Sequence, residues 1–413
     1  MKADKPIVNS LLDTDFYKFA MGQLIFLLWR DVHVESQFIN RSRSIRIADT
    51  IDVGQLKEEL THARSLRFNK SELHYLRGTN EYGERMFCED YLQFLERLKL
   101  PEYDLRVRDG QIELAFAGPW STQTYWEMPA LPIIQELLGR AQMKHMTRLE
   151  REAVHAEGTR RLLEKIRRLR EYPGLQFSEF GTRRRFSLDW QLYVDERLCE
   201  ELPRQFLGTS NVYSAMRLGL MPMGTSAHEL PMVLAGMEST EESIKSAQGR
   251  VYDAWWKQYG FGLSIALPDA FGSKHGLEVM SAEHLARWKG TRQDSGNPHM
   301  YIRDFLLPRY RACGVDAREK MVILSDALIT ELAIELYLAY REEIKTSFGI
   351  GTHFSNDLGL KTPSIVIKPA YANGNPLVKL SDNPKKATGE QEEVTRYKRI
   401  FGYHETADEE CRC

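Results

Sequence analysis

The stretch WKGTRQDSGNPHMYIRDFLLPRYRACGVDAREKMVILSDAL, residues 288–328, decides how the chain is built. A short run ends in the polar, glycine-bearing corner Asp294-Ser295-Gly296. A helix pattern over 299–312 follows, and a second apolar run at Val322 to Leu324 ends in Ser325-Asp326. Strand, polar corner and helix in that order form the unit of a parallel sheet with helical crossovers. The same rhythm continues outward on both sides. Upstream, SEFGTRRR (178–185), FLGTS (206–210), MPMGTSAHE (221–229) and SIALPDAFG (264–272) read as strand ends. Downstream, SFGIGTHFSND (347–357) does the same, and SIVIKPAY (364–371) supplies an eighth apolar strand. Helices are expected at 187–202, 239–259 and 328–343. Some eight such strands predict an α/β fold closed into a barrel, with its chemistry at the C-terminal strand ends.

The flanks read differently. Residues 1–135 have the mixture of an α+β unit: a strand from Val32 to Ile39, helical character over 55–76, and a hairpin over 105–116 turning at Asp109-Gly110. Both turn positions tolerate positive φ. The barrel is assigned to 136–376, and the tail from 377 to 413 is expected to pack back on the N-terminal unit. Residues 140–172 predict a long charged helix. Its basic run, Arg160 to Arg170, is interleaved with Glu164 and Glu171, which favours a solvated face over a nucleic-acid patch. A net charge of -2 over 413 residues gives no global basic field. Five scattered cysteines fit a reducing cytoplasm, with Cys411 and Cys413 an incidental tail. Asp13, Asp15 and Lys18 break the first apolar run, which argues against a signal peptide, and no run is long enough to span a membrane.

Several corners share one composition: Gly208-Thr209-Ser210, Gly224-Thr225-Ser226, Ser295-Gly296 and Gly349-Ile350-Gly351-Thr352. Glycine lets the backbone approach an anion, and the hydroxyls add donors, so the set predicts phosphate binding. There is no Walker loop, and no GxGxxG precedes a helix. Asp269, Asp294 and Asp326 are strand-end carboxylates that hold Mg²⁺ through water alongside substrate phosphates, hold ribose hydroxyls, or cap the next helix. Asp294, beside Arg292, favours function. Of Arg183, Arg184 and Arg185, at least one is expected at the mouth. His228 follows a phosphate-type corner and precedes Glu229, a possible carboxylate partner. It is either a nucleophile or a proton carrier. No histidine spacing marks a metal site, so metal ligands stay unassigned. Tyr17, from position alone, reads as ordinary core packing.

Taken together, TDFYKFAM, EFGTRRRFS, FLGTSNVY, GTSAHE, DSGNP, FGIGT and VIKPAYANGNPLVKLSDNPKK resemble the signature blocks of the nicotinate phosphoribosyltransferase family. They occur in that family's order and span residues 11 to about 386. The resemblance implies an irregular TIM-like α/β barrel plus an open-faced α+β domain built from both chain ends. It also implies a homodimer with active sites at the subunit interface. The implied reaction joins nicotinate to phosphoribosyl pyrophosphate, giving nicotinate mononucleotide and pyrophosphate, with Mg²⁺ present and ATP hydrolysis driving the step through a phosphohistidine. By position, His228 matches the phosphorylated histidine. Tyr17, donated by the other subunit, matches the ring that stacks on the pyridine, and Phe180 covers the opposite face. Thr225 and Arg292 match nicotinate contacts, Arg183 a base-contacting arginine and Asp294 a ribose ligand. Gly351-Thr352 matches a corner that binds the phosphoribosyl substrate. Ser210 stands where similar nicotinamide enzymes carry an acid, and serine removes the repulsion a carboxylate would exert on nicotinate. Two departures bear on local contacts. Ala270 and Ser273 stand where the family often has threonine, and LSDALIT (324–330) lacks the expected glycine or asparagine after Ser-Asp.

Overall fold

The computed structural model describes residues 5–78 and 85–403. In chain order the strands are β1 (His33–Asn40), β2 (Tyr103–Arg108), β3 (Gln111–Pro119), β4 (Gln176–Glu179), β5 (Phe206–Thr209) and β6 (Ile265–Ala266). They continue with β7 (Gly290–Gln293), β8 (Met321–Leu324), β9 (Lys345–Ile350), β10 (Ile365–Ala372) and β11 (Asn375–Pro376). They form two sheets, an antiparallel one ordered β11-β10-β1-β3-β2 and a parallel one ordered β5-β4-β9-β8-β7-β6.

The antiparallel sheet joins strands within 33–119 to strands within 365–376. Its β2–β3 hairpin turns at Asp109 (φ 51°) and Gly110 (φ 74°), the doubly left-handed turn that matches strand twist. On β3, Ile112, Leu114 and Phe116 face inward, and Phe116 stacks on Trp126 with centroids 4.8 Å apart.

In the parallel sheet the order is chain order read around a ring. The last strand, β9, pairs with the first, β4, and the break lies between β5 and β6. Two expected strands are not in it. MPMGTSAHE forms no strand: Met223 N–H reaches Thr209 O at 2.9 Å, and the segment then ends in the helix Glu229–Gly236. Pro222 has no N–H for a ladder. SIVIKPAY does form a strand, but it is β10, paired antiparallel to β1. Its buried Ile365, Ile367 and Pro369 alternate with half-buried Val366, Lys368 and Ala370. That pattern suits a sheet with one open face, whereas strands of a covered parallel sheet are apolar on both.

The helices follow their caps. Ser187 starts Leu188–Glu201 and Thr240 starts Glu241–Tyr259. The 299–312 segment forms as Pro298–Met300, a π-helical stretch Tyr301–Leu306 and Leu307–Ala312, and the next helix is Thr330–Tyr340. The charged helix is Arg148–Arg170, opened by a Thr147–Glu150 capping box. It buries Leu162, Ile166 and Leu169 and pairs Arg160 with Glu157 and Glu164, as a solvated helix should. Among the described residues no helix is long and apolar enough to cross a membrane. Cys411 and Cys413 lie outside the described residues.

The tail after 377, expected on the N-terminal unit, instead lies across the corner that follows β6. Leu380 N–H reaches Ala270 O at 2.9 Å, and Asp382 accepts from Ser273 N at 2.7 Å. The helix Gln391–Phe401 then stacks Phe401 on Phe271 at 4.4 Å. The departures at Ala270 and Ser273 are thus tail contacts. The other departure carries strain: Ala327, following Asp326, sits at φ 48°. A Cβ there costs about 1–2 kcal/mol, less the chain entropy that glycine adds to the unfolded state. Ala327→Gly is therefore expected to stabilise the fold by about 0.5–1 kcal/mol, read as a higher denaturation midpoint at unchanged slope.

Candidate active site

His228 caps the helix Glu229–Gly236, at the end of the segment that leaves β5. Its Nε2 lies 2.6 Å from Asp269 Oδ1, on the loop after β6, and its Nδ1 lies 3.8 Å from Asp294 Oδ2, on the loop after β7. Asp269 is wholly buried. It accepts Ser295 Oγ–H at 2.6 Å and faces Lys379 Nζ at 3.6 Å. Burial pushes its carboxyl up, but His228 and Lys379 outweigh burial and hold it well below the usual range. Burial pushes His228 down to about 4, against the pull of Asp269. At neutral pH the pair is therefore a carboxylate and a neutral imidazole. Nε2–H donates to the carboxylate, and Nδ1 keeps its lone pair. Glu229, the partner expected from the sequence, is not used. Successive helical residues point about 100° apart, so Glu229 turns inward to Trp120 Nε1–H at 2.6 Å and Lys18 at 2.9 Å.

Beside His228, Arg292 donates from NH1 to Thr225 Oγ1 at 3.0 Å, and its NH2 is 3.8 Å from Asp294. The Arg292 Nε–H is buried with no hydrogen-bond partner among the described residues. Asp294 accepts Ser325 Oγ–H at 2.8 Å; burial pushes its carboxyl up, but Arg292 and His228, with Lys379, outweigh burial and hold it down at about 2. Phe180 lies over Gly349, where a Cβ would come within 2.4 Å of the ring, so that corner requires glycine. A Cβ at Gly351 would lie 3.3 Å from the Phe180 carbonyl oxygen. Thr352 opens the short helix Thr352–Ser355, which Lys165 anchors by bonding His353 O and, at 2.6 Å, Asp357.

On the opposite wall Tyr17 donates its hydroxyl to Glu127 at 3.0 Å. Arg183 lies between Glu127 (3.4 Å) and Asp15 (3.6 Å). Tyr17 and Arg183 thus share Glu127 as a partner within the chain. Ser210 gives its hydroxyl to Asp15 at 2.7 Å. A carboxylate therefore does stand beside Ser210, facing Arg183. Thr209 gives its hydroxyl to Glu179 at 2.8 Å. The hydroxyls of Thr209, Ser210 and Ser295 thus serve neighbouring carboxylates, which removes them from the expected phosphate set. Cations that sequence reasoning passed over stand in the same region: Lys368 on β10, Lys379 and Lys386. Burial, with Lys379, Arg183 and Arg41 nearby, pushes Lys368 down to about 8 against the pull of Glu127. Lys386 pairs with Asp326. Their signal is the lysine spacing in VIKPAYANGNPLVKLSDNPKK, the segment of β10 and the tail that follows it. Among the described residues no three His, Cys, Asp or Glu side chains gather as a metal cage.

Parallel strand ends that present a neutral histidine, an Arg–Asp pair and several cations to one mouth define an enzyme of phosphorylated substrates. Two family models match the chain: the nicotinate phosphoribosyltransferase (NAPRTase) family over residues 175–405 and its N-terminal domain over 12–135. The fold is similar to nicotinate phosphoribosyltransferase from Porphyromonas gingivalis (TM-score 0.84, 27% identity, 96% of this chain and 100% of that one). It is also similar to the nicotinate phosphoribosyltransferase from Vibrio cholerae (TM-score 0.87, 28% identity, 97% and 95%). The chain belongs to the nicotinate phosphoribosyltransferase family, and it is an enzyme that transfers phosphoribosyl to nicotinate.

Proposed function

We propose that ATP drives this synthesis of nicotinate mononucleotide through phosphorylation of His228. The observation that carries the reading is the buried, neutral imidazole whose Nε2 is tied to Asp269. The Nδ1 lone pair attacks the γ-phosphorus of ATP. The bond to the β,γ-bridging oxygen breaks, ADP leaves with that electron pair, and water later takes the phosphoryl group. In the bond-forming step the pyridine nitrogen attacks C1′ of the ribose as the C1′–O bond to pyrophosphate breaks. Positive charge builds on the ribose, much as in glycoside cleavage. Nicotinate brings its own lone pair, so no general base is needed.

In this reading Tyr17 and Phe180 face the two sides of the pyridine ring. Arg292, through its unpartnered Nε–H, and Thr225 receive the carboxylate. Asp294 holds the ribose, and Gly351-Thr352 contact the phosphoribosyl substrate. Arg183 lines the base pocket, with Ser210 keeping Asp15 hydrogen-bonded behind it. Lys368 and Lys379 supply counter-charge for the phosphates. Mg²⁺ fits the carboxylates present in the manner usual for this ion, one or two acids plus substrate phosphates. Asp294 and Asp326 would hold it, and when bound it supplies charge for the departing pyrophosphate. The 221–227 segment would act as the seam of a barrel closed between β5 and β6. We also propose a homodimer acting in the cytoplasm, where Cys88, Cys199 and Cys313 would stay free thiols. Sedimentation checks the dimer.

Incubation with γ-labelled ATP tests the central point. The expected result is acid-labile label on His228, lost in His228→Ala together with ATP stimulation, while slow ATP-independent synthesis persists. Full ATP stimulation in His228→Ala would overturn the phosphohistidine.

A further inference from the structure

The residues next to Tyr17 and His228 in the chain, Lys18 and Glu229, meet each other. Lys18 Nζ lies 2.9 Å from Glu229 Oε2, across 211 residues of sequence. Both side chains are buried, at 1% and 9% exposure, so solvent does not soften the pair. The same ammonium lies 2.9 Å from Glu127 Oε2 and donates to Thr124 Oγ1 at 3.1 Å. Glu127 is also the acceptor of the Tyr17 hydroxyl and a partner of Arg183. Glu229 is fixed on its other oxygen by Trp120. From the Tyr17 ring to the His228 imidazole the path is thus one peptide, one ammonium, one carboxylate and one more peptide. Such a bridge cannot open without leaving a buried charge unpaired.

Both ends sit at helix starts. Tyr17 and Lys18 lie in the first turn of Phe16–Leu28, and Glu229 is the first residue of the helix that His228 caps. A phosphoryl group on Nδ1 places anionic oxygens there, and Asp294 stands 3.8 Å from that atom. Repulsion between the two would displace the imidazole and the helix start that carries it. Glu229 moves with that start, and Lys18 follows Glu229.

We propose that the Lys18–Glu229 bridge, with Glu127, is a positioning device that transmits the phosphorylation state of His228 to Tyr17 and Arg183, so that phosphorylation tightens nicotinate binding. The inference rests on the phosphohistidine reading above and adds how it reaches the base. Its test uses Lys18→Met, Glu229→Gln and the double variant in the full-length enzyme. For each, nicotinate KM and kcat are measured with and without ATP, alongside labelling of His228 and Tm. In the single variants label should still appear on His228, but the ATP-dependent drop in nicotinate KM should vanish, a loss of about 5- to 150-fold. The double variant should lose no more than either single one, because the two residues act as one unit. Glu229→Gln keeps shape and leaves Trp120 an acceptor, so it carries the test if Lys18→Met does not fold. A wild-type KM response in either folded variant, or losses that add, would sink the inference. So would equal falls in kcat with and without ATP that track Tm, which is the behaviour of a purely structural pair. No label on His228 in the unaltered enzyme would remove the phosphohistidine and this inference together; label with an unchanged KM response removes this inference alone.

Discussion

Asp269→Asn is expected to slow ATP-dependent labelling of His228 by about 10²- to 10⁴-fold, while ATP-independent synthesis persists. The substitution keeps the shape and an acceptor for Ser295, so it probes charge and tautomer. As a carboxylate, Asp269 accepts only, which forces the proton onto Nε2 and leaves the Nδ1 lone pair free. An amide can present its NH₂ to Nε2 instead. The ring proton then sits on Nδ1, and the nucleophile is lost. The aspartate of serine-protease triads fixes a tautomer in the same way, and its replacement by asparagine costs about 10⁴-fold there. Removing the carboxylate also withdraws the attraction that opposes burial, so His228 becomes still harder to protonate. With its pKa near 4, the imidazole is neutral from pH 6 to 8, and its own titration leaves no mark on the labelling rate in that window. The acid limb should differ between the two proteins. A carboxyl whose folded pKa lies below its unfolded value contributes stability above the unfolded pKa and loses it as pH falls through the folded one. Wild type therefore carries an acid-induced loss at Asp269 that the asparagine variant lacks. Single-turnover labelling checks the main claim, and a wild-type rate would mean that Nδ1 is not the acceptor.

How far this pair could be read from sequence shows where sequence reasoning ends. Asp269 was legible as a strand-end carboxylate and His228 as a histidine past a glycine corner. Their 2.6 Å contact spans 41 residues and depends on two loops converging, which no local pattern carries. Glu229 misled because adjacency in a helix separates side chains in direction. The same limit explains the strands. MPMGTSAHE has a strand's apolar run and polar end, yet Pro222 gives it no complete ladder. SIVIKPAY was legible as a strand, and Lys368, out of phase with the buried Ile365 and Ile367, was the sign that it belonged to a one-faced sheet. The hydroxyls of Thr209 and Ser210 read as phosphate donors because their acceptors, Glu179 and Asp15, are 30 and 195 residues away. Sequence identified the corners and the resemblance assigned their roles, but which donors were already engaged was a tertiary fact.

Arg292→Ala is expected to cost about 2–5 kcal/mol in kcat/KM for nicotinate, or about 30- to 5,000-fold. The guanidinium is the group best placed to meet the carboxylate. NH1 is held by Thr225, NH2 faces Asp294, and Nε–H is buried without a partner among the described residues. A buried donor left unsatisfied costs free energy in the empty enzyme, and a carboxylate that accepts from it removes that cost on binding. Arg292→Lys should recover only part of the loss, because an ammonium keeps the charge but not the planar fork. Asp294 must respond as well. Arg292 is the strongest influence drawing its carboxyl down to about 2, so without the guanidinium that pKa rises and the ribose ligand is less firmly ionised at low pH. Nicotinamide separates these effects. It lacks the negative charge, so it should lose less than nicotinate, and the preference between the two bases should narrow. Equal losses on both bases would move Arg292 from the nicotinate carboxylate to the phosphoribosyl side, where Asp294 would be the residue it serves.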